Sequence, residues 1–129
     1  MNKKRQIFII DRPYAMKYHL DDSFIGKRIC IYTERYTHIE KHRNQFSDEY
    51  ELTKIIDNLP KIVACPDYIH INNKKRGMEI VKKLNDNVLI AVRISKSNEL
   101  KIKSLYPITE AKYYRLKEDI KIIKKGWAM

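Results

Sequence analysis

Apolar and polar positions change period twice along the chain, and the expected elements follow from those changes. Gln6-Ile7-Phe8-Ile9-Ile10 is a short apolar run that reads as a strand, broken by Asp11-Arg12-Pro13. Tyr14, Met16, Tyr18 and Leu20 then alternate with Ala15, Lys17 and His19, which predicts a half-buried second strand. Asp21-Asp22-Ser23 and Gly26 mark a turn, and Arg28 to Tyr32 reads as a further short strand. Thr33 is placed to cap a helix that carries Tyr36, His38, Ile39 and His42. Ser47, Tyr50 and Glu51 open a second helix, whose stripe of Leu52, Ile55, Ile56 and Leu59 runs at helical spacing until Pro60. Ile62-Val63-Ala64 is a short apolar stub before Cys65-Pro66-Asp67.

After Pro66 the period becomes two. Strands are predicted at Tyr68 to Asn72, Met78 to Leu84, Val88 to Ser95 and Leu100 to Tyr106. The third of these is apolar enough to be central. Turns fall at Asn72 to Gly77, Asn85 to Asn87 and Lys96 to Asn98, and Pro107 is expected to end the fourth strand. Thr109 to about Lys125 reads as a closing helix, basic towards its C-terminus as suits the helix dipole. The expected class is α+β. A β-rich lead-in and a helix pair pack on a curved antiparallel four-stranded sheet, followed by a C-terminal helix. The 129 residues are expected to form a single domain, because no linker separates the lead-in (1–28) from the rest.

Charge changes the picture more than composition does. The formal net charge is +11, from 27 Lys and Arg against 16 Asp and Glu. Such an excess favours a polyanionic partner, of which nucleic acid is the commonest. AT-rich coding, visible in the Lys, Ile, Asn and Tyr usage, explains some lysines but less of the imbalance. Membrane-surface binding is disfavoured, since the helices lack a clean division into apolar and basic faces. No apolar run is long enough to span a bilayer, and Gln6 to Ile10 is too short for a signal peptide's apolar region. A cytoplasmic protein with Cys30 and Cys65 as reduced thiols is therefore the expectation.

The candidate chemistry starts at His38 and His42. Four residues apart on a helix, two imidazoles share one face, and imidazole titrates near neutrality. Lys41 and Arg43 make the surroundings electropositive. Such a pair suits proton transfer beside a phosphate or metal binding, and two solvated surface histidines would look the same. On the third strand, alternation puts Val88, Ile90, Val92 and Ile94 on one face and Leu89, Ala91, Arg93 and Ser95 on the other. A cation there needs an anion, either Glu79 or Glu99 in a salt bridge or a ligand. Lys82 and Lys83 face opposite ways on the second strand. Ser104 and Tyr106 share a face at the end of the fourth, where a hydroxyl could orient a phosphate and a phenol could give a proton or stack on a base. Equally, Tyr106 could be a core aromatic.

Taken together, His38-Ile39 with Lys41-His42, Ile55-Ile56, Pro66-Asp67-Tyr68-Ile69 and Ile102-Lys103-Ser104-Leu105-Tyr106 resemble the phage-type nucleases of the barnase–EndoU–colicin–RelE (BECR) fold. The resemblance covers about Ile29 to Lys117 and rests on order and spacing. Arg43, where the family often has Pro, and Cys65, where it often has Asn, depart from the pattern at turns. What the resemblance implies is metal-independent endoribonuclease action without a cofactor, ending in a cyclic phosphate, in a toxin or a phage-encoded effector. His38 and His42 would be the acid–base candidates, Arg93 with Lys82 or Lys83 would stabilise the phosphorane, and Ser104 and Tyr106 would orient substrate or supply the acid. RNA would be the partner, with Lys41, Arg43, Lys74, Lys75 and Arg76 along its backbone, and a protein inhibitor would fit a toxin role.

Two other classes stay open on sequence. A catalytically inactive RNA-binding module would use the Lys74-Lys75-Arg76 loop with Lys121, Lys124 and Lys125, and would show steep salt dependence. A metal hydrolase would need a third ligand from His19, His70 or Cys65 beside His38-x-Glu40-x-His42, which is not the zincin spacing.

Overall fold

The computed structural model describes residues 2–124, with side chains described as far as residue 120. Its strands are β1 (Lys4–Ile9), β2 (Arg28–Tyr32), β3 (Tyr68–Asn72), β4 (Gly77–Lys83), β5 (Asn87–Arg93) and β6 (Glu99–Ile108). Its helices are α1 (Arg12–Lys17), α2 (Thr33–Glu40), α3 (Glu51–Asp57), α4 (Leu59–Ala64) and α5 (Glu110–Lys124). The class is α+β, as the periodicity indicates.

The expected meander is present as β3 to β6, each strand antiparallel to the next. The sheet, however, has six strands and not four, in the order β1-β2-β6-β5-β4-β3, and it is mixed. β2 runs parallel to β6, with Arg28, Ile29 and Cys30 opposite Glu99, Leu100 and Lys101. Ile29, Cys30 and Ile31 are all buried, which is how a strand enclosed on both faces reads. The N-terminal strands therefore extend the main sheet.

Three further expectations need correcting. The segment Tyr14 to Leu20 is not a strand. The Asp11 carboxylate accepts the Tyr14 N–H at 2.9 Å and Pro13 sits in the first turn, so the chain starts α1. Tyr14 and Tyr18, one helical turn apart, are the buried pair, while Met16 is exposed. The single helix expected to end at Pro60 is two. Pro60 lies in the first turn of α4, where a missing N–H costs no hydrogen bond, and the stub Ile62-Val63-Ala64 belongs to that helix. Finally, β6 continues through Pro107 to Ile108. Its pairing with β2 ends at Lys101, so at Pro107 the side away from β5 has no ladder bond to lose.

The larger core lies on one face, where Tyr14, Ile39, Leu52, Ile55, Leu59 and Val63 of α1 to α4 meet Ile29, Ile80, Ile90 and Leu100 of the sheet. On the other face α5 covers only part of the sheet, packing Tyr113 and Leu116 on Tyr68, Val81 and Leu89. No helix among the described residues is long and apolar enough to cross a membrane.

Candidate active site

The part of that second face beyond α5 holds a cleft of about 400 Å³. Its lining includes His38, Arg93, Ser104 and Tyr106, and adds Arg35, Lys75, Glu79 and Lys103. Two local features of the chain bring these groups together.

The first is a bulge in β6. Ala91 of β5 pairs with Ser104, yet Val92 pairs with Ile102, so Lys103 is an extra residue. Before it, Leu100 and Ile102 face the larger core; after it, Leu105 does. The inward set thus moves from even to odd positions, and Ser104 and Tyr106 emerge on the cleft face. That break in alternation is legible in the sequence.

The second is the absence of a loop between β2 and α2. The helix starts at Thr33, directly after the strand, and lies along the margin of β6 that β2 leaves unpaired. Arg35 fastens it there, donating from Nε (2.9 Å) and Nη2 (2.7 Å) to the Lys103 carbonyl at the bulge. With Ile39 buried in the larger core, Arg35 and His38, three residues apart, look towards the cleft.

His42 lies beyond the α-helix, which ends at Glu40, and not on it as expected. The chain tightens without reversing: the His42 N–H donates to the Ile39 carbonyl at 2.9 Å. Its ring still comes within 6.0 Å of that of His38, nearly edge-on at 74°, and within 5.6 Å of that of Tyr106. His38 is the exposed member of the pair and His42 is half-buried. The His42 Nδ1 and the Ser104 Oγ are buried and have no hydrogen-bond partner among the described residues. Buried polar atoms are rarely left so; of the three among the described residues two lie in or beside this cleft, the third being the Glu51 Oε2 on α3.

The electrostatics are asymmetric. Some loss of hydration against the cleft wall, followed by the charges of Arg35, Lys41, His42 and Lys103, lowers the pKa of the exposed His38 below its ordinary 6.5. The Tyr106 phenol is moved the other way, first by burial and then by the Glu79 carboxylate, so it keeps its proton above its ordinary 10.0. At neutral pH the site holds a neutral imidazole able to accept a proton and a phenol able to give one.

Arg93 is exposed and makes no ion pair among the described residues. Neither anion considered for it is available. Glu79 Oε1 lies 2.7 Å from His70 Nδ1, and Glu99 is held by Lys4 at 3.0 Å and by the Tyr32 hydroxyl. Lys82 and Lys83 are not brought to the cleft. Lys82 points to the larger-core side, donating to the Cys65 carbonyl at 2.9 Å with Asp67 at 3.5 Å. Lys83 reaches the first turns of α5, at 3.2 Å from the Tyr114 hydroxyl and 3.4 Å from Glu110. Arg43 is engaged by both oxygens of Glu40 at 2.7 Å, whereas Lys41, Lys74 and Arg76 are exposed and Lys75 lines the cleft. Lys125 lies outside the described residues, as do the side chains of Lys121 and Lys124. Arg35 and Lys103 are cleft residues that strand and helix patterns did not single out, and Glu79, considered from sequence only as an anion for Arg93, is a third. No three His, Cys, Asp or Glu side chains among the described residues are grouped so as to hold a metal ion.

No curated protein and no solved structure matches the chain significantly. A family model does, over residues 14–115, so that the match runs from α1 into α5 and takes in every residue lining the cleft. With that span, the chain belongs to the family described as phage-Barnase-EndoU-ColicinE5/D-RelE like nuclease 3.

Proposed function

We propose that this nuclease is a metal-independent endoribonuclease that cleaves RNA by intramolecular transphosphorylation. The observation that carries the reading is the convergence of His38, Arg93, Ser104 and Tyr106 on one cleft, from elements far apart in sequence. RNA is the substrate class that brings its own nucleophile, and this set of groups matches what that chemistry needs.

In the proposed step the neutral His38 imidazole takes the proton of the ribose 2′-hydroxyl. The freed oxygen attacks the adjacent phosphorus, and the bond from phosphorus to the departing 5′-oxygen breaks. Tyr106 gives that oxygen its proton. The products are a 2′,3′-cyclic phosphate and a 5′-hydroxyl. Negative charge on the non-bridging oxygens grows on the way to the phosphorane, where Arg93 and Lys103 oppose it and the Ser104 hydroxyl donates to one oxygen. His42 acts through its neighbours, packing between the His38 and Tyr106 rings. An acid–base pair of this kind contributes roughly a hundred- to ten-thousand-fold per partner.

The test uses two oligoribonucleotides of one sequence, one carrying a single 2′-deoxy residue at the cleaved position. The reading requires the normal strand to be cut and the substituted one to survive at that position. Cleavage of both at equal rates would mean that water or another group is the nucleophile.

A further inference from the structure

The concavity does not end at Arg93. That residue also lines a second hollow of about 330 Å³, shared with Ser95, Ser97, Glu99 and Lys101 at the β5–β6 hairpin. Arg93 and Lys101 are direct partners across the two strands and emerge on the same face as the cleft.

The charges of this hollow are unevenly satisfied. Its one acid, Glu99, is held below the usual carboxylate range chiefly by the Tyr32 hydroxyl and by Lys4, with Lys101 adding a smaller share. Arg93 and Lys101 themselves form no ion pair among the described residues. The Lys101 ammonium rests 5.1 Å from the centre of the Tyr32 ring, which aims it without neutralising it.

The hollow is also preformed. Lys27 donates to the Ser95 and Ser97 carbonyls at 2.6 and 3.1 Å, and the Ser95 hydroxyl closes on the Glu99 carbonyl at 3.1 Å. A ligand bound there need not order the hairpin first, which removes a usual cost of binding. On the opposite side, α5 covers the sheet beyond Tyr106. A strand whose cleaved phosphate sits at Ser104 thus has an open, cationic path past Arg93. Because Lys103 is the extra residue of the bulge, Ser104 opposite Ala91 and Lys101 opposite Arg93 are two β5 residues apart, roughly 7 Å at the rise of an extended strand.

We propose that Arg93 and Lys101 form a second phosphate subsite, which holds the phosphate neighbouring the one cleaved on a single-stranded RNA. The inference rests on the endoribonuclease reading for its orientation and deepens it. It makes the cleft prefer a strand extended on one side of the cleaved bond, and it gives Arg93 a place in both subsites.

The experiment compares a dinucleotide with one phosphodiester bond to the same dinucleotide lengthened by one nucleotide at either end. For the wild-type protein, kcat/KM should rise roughly three- to tenfold on lengthening at one end only, the worth of one well-placed charged contact. Lys101→Gln should abolish that rise and leave the dinucleotide rate unchanged. A rise that persists in Lys101→Gln, or no rise at either end, overturns the subsite. A second arm measures binding of a 2′-O-methyl oligonucleotide, which cannot be cleaved this way, across a salt series. Lys101→Gln should lower the slope of log K against log salt by about 0.7, one single-strand phosphate contact, and an unchanged slope overturns the subsite. Should the wild-type protein cut neither substrate, the proposed chemistry falls and the salt slopes decide the subsite alone. A thermal melt of Lys101→Gln matching that of the wild type shows that the fold is intact.

Discussion

The ring of His42 sits 5.6 Å from that of Tyr106, tilted by 41°, while His38, whose ring is 6.0 Å away, is the histidine that lines the cleft. The two imidazoles thus have different surroundings. His38→Ala should lower kcat roughly a hundred- to ten-thousand-fold with little change in melting temperature, since the side chain is exposed. His42→Ala should cost less in kcat and more in stability, and His42→Phe should recover most of the activity by restoring the packing. Single-turnover rates beside thermal melts check this. Loss of activity in His42→Phe equal to that in His38→Ala would give His42 a direct part in proton transfer.

The proton transfer proposed for His38 carries a sign that pH can read. A base works when unprotonated, and partial desolvation together with neighbouring cations lowers the pKa of this one. The acid limb of kcat/KM should therefore have its midpoint below 6.5. Arg35→Gln removes the largest of the neighbouring charges and should move that midpoint up, though not fully, because the desolvation and the other cations remain. On the alkaline side the raised Tyr106 phenol should keep the profile flat to about pH 9. A pH–rate profile of the two proteins decides the matter; an acid limb unmoved by Arg35→Gln would contradict the assignment.

The cations of the sheet separate by position. Arg93→Met should reduce kcat/KM roughly a hundredfold or more, the usual scale for removing one donor to a developing oxyanion. Lys82→Met and Lys83→Met should each stay within about threefold of the wild type, since those ammonium groups are directed at Asp67 and at Tyr114 with Glu110. Steady-state kinetics on one RNA substrate measure all three.

The segment after Asp11 offers a test of the fold. As the N-cap of α1, Asp11 should cost about 1 kcal/mol when replaced by Ala and only a few tenths when replaced by Gly. Tyr14→Phe strips a buried hydroxyl from the Val63 carbonyl, 2.7 Å away, and should cost about 1 kcal/mol or more. Denaturant unfolding checks both, and a strand at this place would show neither pattern.

Much of this was open to reading in the chain, and the exceptions have physical causes. The meander from β3 to β6 alternates cleanly, so Arg93 could be assigned to the face of Leu89 and Ala91 from sequence. The helical spacing of His38 and His42 brought both rings to one region even though the helix stops between them. The segment from Tyr14 to Leu20 misled because its large side chains alternate, while the helix buries Tyr14, Ala15 and Tyr18 and leaves Met16 in solvent. Asp11 and Pro13, a cap and a first-turn proline, were the better signal. The parallel pairing of β2 with β6 joins residues about seventy positions apart and leaves no local trace beyond the apolar run Ile29-Cys30-Ile31. Arg35 and Lys103 were missed, and Glu79 was considered only as an anion for Arg93, because each joins the cleft through another element: a helix laid on a strand margin, a bulge, and the row of β4 and β5 partners that places Glu79 opposite Ala91.

The most direct measurement is the end-group chemistry of single-stranded RNA incubated with the purified protein in EDTA, beside His38→Ala. Fragments ending in 2′,3′-cyclic phosphate and 5′-hydroxyl are expected, made by the wild type with chelator present and nearly lost in the variant. Intact RNA, cleavage only when a divalent metal is restored, or fragments bearing 5′-phosphates would contradict it.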